Sequence, residues 1–472
     1  QGVSGRFTYA YDSRYFTEFN FGYNGSERFS KNERYGFFPS MGVGYIVSNE
    51  SFWEPLLPVV NQLKLKFTHG LVGNDAIGNP DDRFYYLSEV NIDDGGRAQV
   101  FGEEFGNRLN GISNSRYPNP YITWETSKKS NLGMELGMFN NTLEMQVDLF
   151  YEYRSNIYMG RSYIPASMGL SAGVSANVGE ASSRGVDLSL TYSLASGQNY
   201  WIKSMGNFTY AVGQYEVYEE LDYAGLGEPW RSRVGQPINW NYGYIAERLF
   251  IDEYDILNSP SQSVFGVYQA GDIKYRDINK DGVINFSDMV FIGYPNQPEI
   301  TYGFGVSGGF KDFDLSLFFQ GNARVTFFLD PGRITPFVDI SGDDKNNMGM
   351  DPNKTAVNNL LSVIAEDHWS EDNRNLYAFW PRLAPRVIGN NTQTSTWWMH
   401  DGSFMRLKTV ELGYTLPVKL ARSLRLQSLR LYFTGNNLLT FSSFKLWDPE
   451  MGSNGLGYPI QRVYNIGINI NL

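Results

Sequence analysis

An alternation of apolar and polar residues with a period of two runs through this chain almost from end to end, and it constrains the fold more than any single motif. From Thr142 to Tyr153, Leu143, Met145, Val147, Leu149, Tyr151 and Tyr153 share one parity, while Glu144, Gln146, Asp148 and Glu152 share the other with Phe150. Successive side chains of extended backbone point to opposite faces, so such a segment has one apolar face and one wet face. Gly185–Leu194 repeats the pattern, with Val186, Leu188, Leu190, Tyr192 and Leu194 opposing Asp187, Ser189, Thr191 and Ser193. The same reading predicts strands near Val3–Tyr11, Tyr15–Tyr23, Pro39–Ser48, Gln62–Leu71, Ser130–Phe139, Asn199–Val212, Asn241–Phe250, Ile300–Phe310 and Phe313–Gly321. Three more are predicted near Phe404–Leu416, Leu429–Leu438 and Arg462–Leu472, about fourteen strands altogether. Between Met405/Leu407 and Val410/Leu412/Tyr414 the apolar parity changes, which predicts a bulge near Lys408.

The connections fall into two classes. Asn140-Asn141 and Lys311-Asp312 are tight turns, whereas 72–129, 252–299 and 322–403 are very long. Short turns on one rim and long loops on the other are the asymmetry of an outer-membrane barrel whose long loops face the cell exterior. A sandwich rarely carries connections of this length without order of their own. Alternation that persists to Leu472 leaves a terminal strand with a sticky edge, which barrel closure would remove. The fold expected is all-β: a transmembrane antiparallel β-barrel. Composition agrees, since 49 Gly and a 16% aromatic share favour strands and turns over helical bundles. No apolar run is long enough for a transmembrane helix, but barrel strands need only about 9–11 residues of alternating polarity.

A net charge of −11 leaves no basic footprint for nucleic acid, so no nucleic-acid partner is expected. The absence of cysteine removes disulfide, Cys-zinc and thiol redox chemistry. Only three histidines occur, His69, His368 and His400, and none forms a zinc-binding pair. Adjacent acids such as Asp81-Asp82, Asp93-Asp94 and Glu103-Glu104 point apart in extended chain and read as solvated loop charges. Gly303-Phe304-Gly305-Val306-Ser307-Gly308 matches a dinucleotide fingerprint and overlaps a G-x-S-x-G pattern, but both need a strand-to-helix turn. Here the alternation of Ile300, Tyr302, Phe304 and Val306 runs straight through, so small residues on the inner face of a barrel strand explain the glycines.

One stretch reads as chemistry. In Asp277–Asp288, oxygen-bearing side chains stand at loop positions 1, 3, 5, 9 and 12, with Gly282 at position 6, the spacing of a calcium loop. Asp277, Asn279, Asp281 and Asp288 would bind Ca²⁺ by side chain, Val283 by its carbonyl, and Asn285 directly or through water. Asp in place of Glu at position 12 shortens the last ligand's reach. Extended chain before the loop and Pro295 and Pro298 after it rule out an EF-hand helix pair, so the cation would brace a long connection. The competing reading is an Asn/Asp-rich turn that happens to fit the spacing. Trp230, Trp240, Trp380, Trp397 and Trp398, all between strands, are candidates for contact with a substrate or partner, or else they sit in the interfacial aromatic girdle or fold the loops on themselves.

Arg34–Ser40, Ser51-Phe52-Trp53, Leu63–Asn74, Trp124-Glu125, Gly271–Asp288, Thr301–Phe304, Trp369–Asn373, Asp401–Lys408 and Gly435–Phe441 occur in the order found in one family. On these blocks the chain resembles the SusC-like TonB-dependent transporters of the bacterial outer membrane along essentially its whole length. The resemblance implies a barrel of roughly 22 strands filled by a plug. About fourteen strands cannot close that barrel, so residues 1–472 would be its C-terminal part, with plug and N-terminal strands absent. It also implies no enzyme activity, but import of a glycan-derived oligosaccharide or an oligopeptide across the outer membrane. The implied partners are outer-membrane lipid, a SusD-like surface lipoprotein acting as a lid, and TonB–ExbB–ExbD working through the absent plug segment. A passive porin or an adhesive surface barrel is the alternative.

Overall fold

The computed structural model describes residues 1–79, 82–196, 200–337 and 359–472. Among them, 13 strands form one continuous antiparallel sheet in which every strand pairs with its neighbours in chain order. They are Gly2–Tyr11, Tyr15–Gly25, Tyr35–Ile46, Val60–Asn74, Glu125–Met138, Leu143–Gly160, Ser175–Ser196, Tyr200–Val217, Ile300–Phe310, Phe313–Ala323, Phe404–Thr415, Ser428–Ser442 and Val463–Asn471. Each corresponds to a strand expected from the alternation, and most extend beyond it by several residues towards the long connections. A bulge stands where the parity change placed it. The register slips between Leu407 and Thr409 on one side and between Phe318 and Phe319 on the other, leaving Lys408 unpaired.

The register converts local alternation into continuous surfaces. Across nine strands, directly paired residues form the row Leu65, Met134, Val147, Leu188, Phe208, Tyr302, Gly321, Met405 and Phe441. One residue away along every strand runs the row Lys64, Glu135, Gln146, Ser189, Asn207, Gly303, Gln320, Arg406 and Thr440. A sheet with an unbroken apolar face and an unbroken polar face has lipid on one side and water on the other. On the polar face Lys66 bridges Glu135 and Asp148 at 3.2 Å each. Two glycines of the rejected nucleotide motif, Gly303 and Gly305, lie on this face too, while Gly308 shares the apolar face with Ile202 and Leu315. A Cβ at Gly303 or Gly305 would meet the Phe318 ring at 3.2 and 3.1 Å, so the missing side chains make room for that ring.

Tight turns lie on one rim. Asp12 and Ser13, both at φ 51°, are the left-handed centre of a turn that the Arg14 amide closes on the Tyr11 carbonyl at 3.0 Å, and Asn140 and Asn141 at φ 56° and 60° make another, closed by the Thr142 amide on the Phe139 carbonyl at 3.2 Å. The opposite rim carries the long connections, and these are folded. That is the main departure from expectation: Asn241–Phe250 is not a barrel strand. It forms two short strands, Asn241–Gly243 paired with Val290–Ile292 and Ala246–Leu249 paired with Ile273–Tyr275, within the loops. Leu249 and Phe250 have no exposed surface, so the segment is sealed in a globular layer and cannot face lipid.

Residues 218–299, 324–337 and 359–403 build this layer together with Phe444 from a third connection. Leu249, Ile273, Tyr275, Ile284, Ile364, Trp369, Trp380 and Trp398 form its core. A buried polar joint crosses between them. Asn390 Nδ2 donates to the Ile273 carbonyl at 2.8 Å, the Ile273 amide donates to Asn391 Oδ1 at 2.9 Å, and Gln262 Nε2 donates to Asn390 Oδ1 at 2.6 Å. Buried amides that pair only in this arrangement fix how one connection sits on the other. The connection 75–124 has its own small core of Phe29, Ile77, Tyr85, Ile122 and Trp124, and carries the hairpin Glu89–Phe101 with Asn107–Arg116.

Candidate functional site

At the long-loop end of strand Tyr200–Val217, odd-numbered residues continue the polar face, since Thr209 pairs with Asp187 and Asp187 with Asp148. Tyr215 is the last of them before a register shift. Beyond the end of strand Ile300–Phe310 the open edge is taken by residues 234–238, where the Tyr215 amide donates to the Gln236 carbonyl at 3.2 Å and the Ile238 amide to the Gly213 carbonyl at 2.9 Å. The chain between, released from the sheet, folds over its own strand end and leaves a cleft of about 770 Å³. This size suits a ligand of several rings.

Aromatic rings make the walls. Tyr215 and Tyr218 meet edge to face at 4.8 Å, and Phe291 lies 5.4 Å from Trp240 and 5.3 Å from Tyr242. The Arg231 guanidinium sits between the rings of Tyr223, at 4.6 Å, and Phe286, at 4.4 Å, and pairs with Glu228. Burial works against its charge, yet the bond and attraction from Glu228 hold its pKa above the usual arginine value. Burial pushes the Tyr242 hydroxyl up. Arg233 lies over Tyr218 at 5.0 Å and donates to its hydroxyl at 2.9 Å.

Asp277–Asp288 adjoins this cleft. Gly282 takes φ +84°, as the tight turn requires. Asp277 accepts from the amides of Lys280 and Gly282, Asn279 from Asp281, and Asp281 from Val283, at 2.6–3.1 Å. Asp288, fully buried, accepts from the amides of Ile278, Asn279 and Asn285, and Asn285 accepts from Ser287. Burial raises the Asp288 pKa against those three amides. The loop is thus closed by its own backbone, and among the described residues no three His, Cys, Asp or Glu side chains converge as a ready metal site. Its exit turn forms part of the cleft: Phe286 lines it, and Trp230 Nε1 donates to the Ser287 carbonyl at 2.9 Å.

The five candidate tryptophans separate. Trp240 lines the cleft, with Nε1 anchored on the Ile292 carbonyl at 3.2 Å, and Trp230 braces it from the side. Trp380 and Trp398 are corrected to core positions. They are 5% and 1% exposed, their rings lie 5.1 Å apart, and Trp398 Nε1 donates to the Asn391 carbonyl at 2.8 Å. No face remains for a ligand. Trp397 is half-buried against the same core and donates to the Phe379 carbonyl at 3.3 Å. Tyr215, Tyr218, Phe286 and Phe291 are cleft residues that the sequence reading passed over. Their one signal is the loss of alternation after Val217, where Tyr218 and Tyr223 follow among acids.

An antiparallel sheet with lipid and water faces, tight turns on one rim and a folded loop layer on the other defines a β-barrel protein of the Gram-negative outer membrane. No family model matches the chain. TonB-dependent receptor P3 of Formosa agariphila is 26% identical over 493 residues, spanning 99% of this chain and 45% of that protein. TonB-dependent receptor SusC of Bacteroides thetaiotaomicron is 22% identical over 477 residues, spanning 99% and 43%. The RagAB peptide importer in its open-open state shares the fold, with a TM-score of 0.71 at 22% identity over 100% of this chain and 46% of that one. The chain is thus similar along 99% of its length to TonB-dependent receptors, SusC among them, and it spans a little under half the length of the relatives it matches.

Proposed function

We propose that the whole receptor actively imports an oligomeric nutrient, a glycan-derived oligosaccharide or an oligopeptide, across the outer membrane. The aromatic cleft carries this reading, because it opens on the wet face at the outer rim, where a solute bound for the lumen arrives first. The similarity to TonB-dependent receptors along the whole chain supports energy supply by TonB–ExbB–ExbD through a plug segment. A SusD-like surface lipoprotein would cover the loop layer as a lid. No bond is made or broken: the solute is captured, enclosed and released inwards. Uptake measured in isogenic cells with and without TonB tests the reading, and undiminished uptake without TonB would establish the passive-porin alternative.

A structural Ca²⁺ at Asp277–Asp288 belongs to the same proposal. Asp277, Asn279 and Asp281 follow one another around the Gly282 turn and would supply side-chain oxygens, with the Val283 carbonyl and Asn285 completing the set. Asp288 would join by exchanging an amide for the cation. Calorimetric titration of the purified receptor with Ca²⁺, against Asp281→Ala, decides between a bound ion and the self-closed turn.

A further inference from the structure

We propose that residues 417–427, the connection from strand Phe404–Thr415 to strand Ser428–Ser442, bind the phosphate headgroup of an anionic phospholipid on the tight-turn side of the membrane. The site faces lipid rather than cargo and is independent of the import reading. A cluster of cations in an acidic chain points to it. Lys419, Arg422 and Arg425 lie within seven residues, all three are exposed, and among the described residues none has a carboxylate within ion-pair distance. Acids on the adjoining strand ends do not reach them. Asp314 and Glu411 are both held by Arg430, at 2.5 and 2.6 Å, and Asp312 stands beside Lys311 in its turn. The chain carries a net charge of −11, so these three cations are not the surplus of a basic surface. They call for an anion from outside the chain.

Depth identifies that anion. Directly paired residues Tyr200, Phe310, Phe313 and Tyr414 form an aromatic row on the apolar face, at the ends of four strands beside the tight turns. Aromatic rings gather where lipid tails give way to headgroups, so this row marks the boundary on that rim. The chain crosses it at Tyr414 and enters the short helix Val418–Ser423 just beyond. Ala421 has no exposed surface and seats the helix on the strand ends, while Leu420 and Leu424, one helical turn apart, stay 53% and 59% exposed. Among the described residues nothing covers these leucines, and lipid tails at this depth would. Arg425, at φ 61°, turns the chain back, and the Leu426 amide donates to the Ala421 carbonyl at 3.0 Å, which keeps the third cation beside the first two. Apolar side chains at the acyl boundary with cations alongside hold an interfacial segment to anionic lipid.

The test uses the full-length receptor in nanodiscs of equal phosphatidylglycerol and phosphatidylcholine, with the lipid retained by the protein counted by native mass spectrometry. Phosphatidylglycerol is expected to be retained in preference, and that preference to fall about fivefold with each cation removed in Lys419→Gln, Arg422→Gln and Arg425→Gln. Arg422→Lys with Arg425→Lys keeps the charge and the preference, which separates lost charge from a disturbed turn. Lys31→Gln removes an exposed lysine on the opposite rim and retains lipid as the unaltered receptor does. Equal retention of the two lipids by the unaltered receptor, or an intact preference in the triple glutamine variant, would overturn the site. Displacement of phosphatidylglycerol by inorganic phosphate would reveal a site for a free anion and overturn the lipid assignment. The import reading is decided separately, by uptake with and without TonB.

Discussion

Replacing Arg382 by leucine tests whether the loop layer depends on its buried polar joint. Asp272 has no exposed surface. It accepts from Asn391 Nδ2 and from the Gln269 amide at 2.8 Å each, and from Arg382 Nη2 at 3.1 Å. Arg382 Nε lies 2.8 Å from Oδ1 as a charge contact without an aligned hydrogen bond. Burial raises the Asp272 pKa, and the arginine and hydrogen bonds oppose that rise without cancelling it. Taking away the arginine alone strands a buried carboxylate, which costs about 3–5 kcal/mol when a buried pair is broken on one side. The pH dependence has a definite sign. A carboxyl whose folded pKa lies above its unfolded value binds a proton more readily when folded, so its contribution to stability is complete below the unfolded pKa and is lost as pH rises through the folded one. Without Arg382 that folded pKa moves higher still. Arg382→Leu should therefore loosen the loop layer at neutral pH and recover much of the loss on acidification, as Asp272 takes up a proton. Hydrogen exchange of the full-length receptor, followed at 262–275 and 388–398, reads this directly, and unchanged protection across the barrel strands shows that the sheet is unaffected. Equal protection of variant and parent at neutral pH, or further loss on acidification, would refute the reasoning.

Trp398→Ala empties a core site 1% exposed and unties the Asn391 carbonyl; a loss of about 3–5 kcal/mol to the loop layer is expected, seen as early tryptic cleavage there while the barrel resists heat and detergent on a gel. Phe67→Arg places a charge mid-strand on the lipid face, in the paired row with Val43, Leu132 and Leu149. It should cost about 2–4 kcal/mol in barrel stability by denaturant titration in lipid, against little change for Thr68→Arg on the opposite face. Asp281→Ala should disorder the turn next to Phe286 and weaken both lipoprotein docking and the cleft, with the barrel still inserted. Unchanged loop proteolysis and lipoprotein binding in that variant would remove any bracing role for Asp277–Asp288.

The strands were legible in the sequence because a barrel strand is a local object. Its two faces meet different solvents, so the period of two is written into each segment, and even the Lys408 bulge shows as a change of parity. The tight turns at Asn140-Asn141 and Lys311-Asp312 were legible for the same reason: each is decided by the backbone of a few adjacent residues. Asn241–Phe250 misled because a short strand in a globular layer carries the same alternation as a membrane strand. Its solvent, on both sides, is other protein. The tryptophans show the limit most clearly. Trp240 and Trp398 look alike in sequence, and only the packing of one long connection on another makes the first a wall of a cleft and the second a core residue. The ion pair beside the cleft likewise joins residues as distant as Arg161 and Glu219, which meet where the chain leaves strand Tyr200–Val217. By itself the sequence determined the alternating strands, the two kinds of connection and the calcium-like spacing, because these depend on near neighbours along the chain. Tertiary structure alone decided the two continuous faces, the folded loop layer and the cleft, because register and long-range packing select which residues meet.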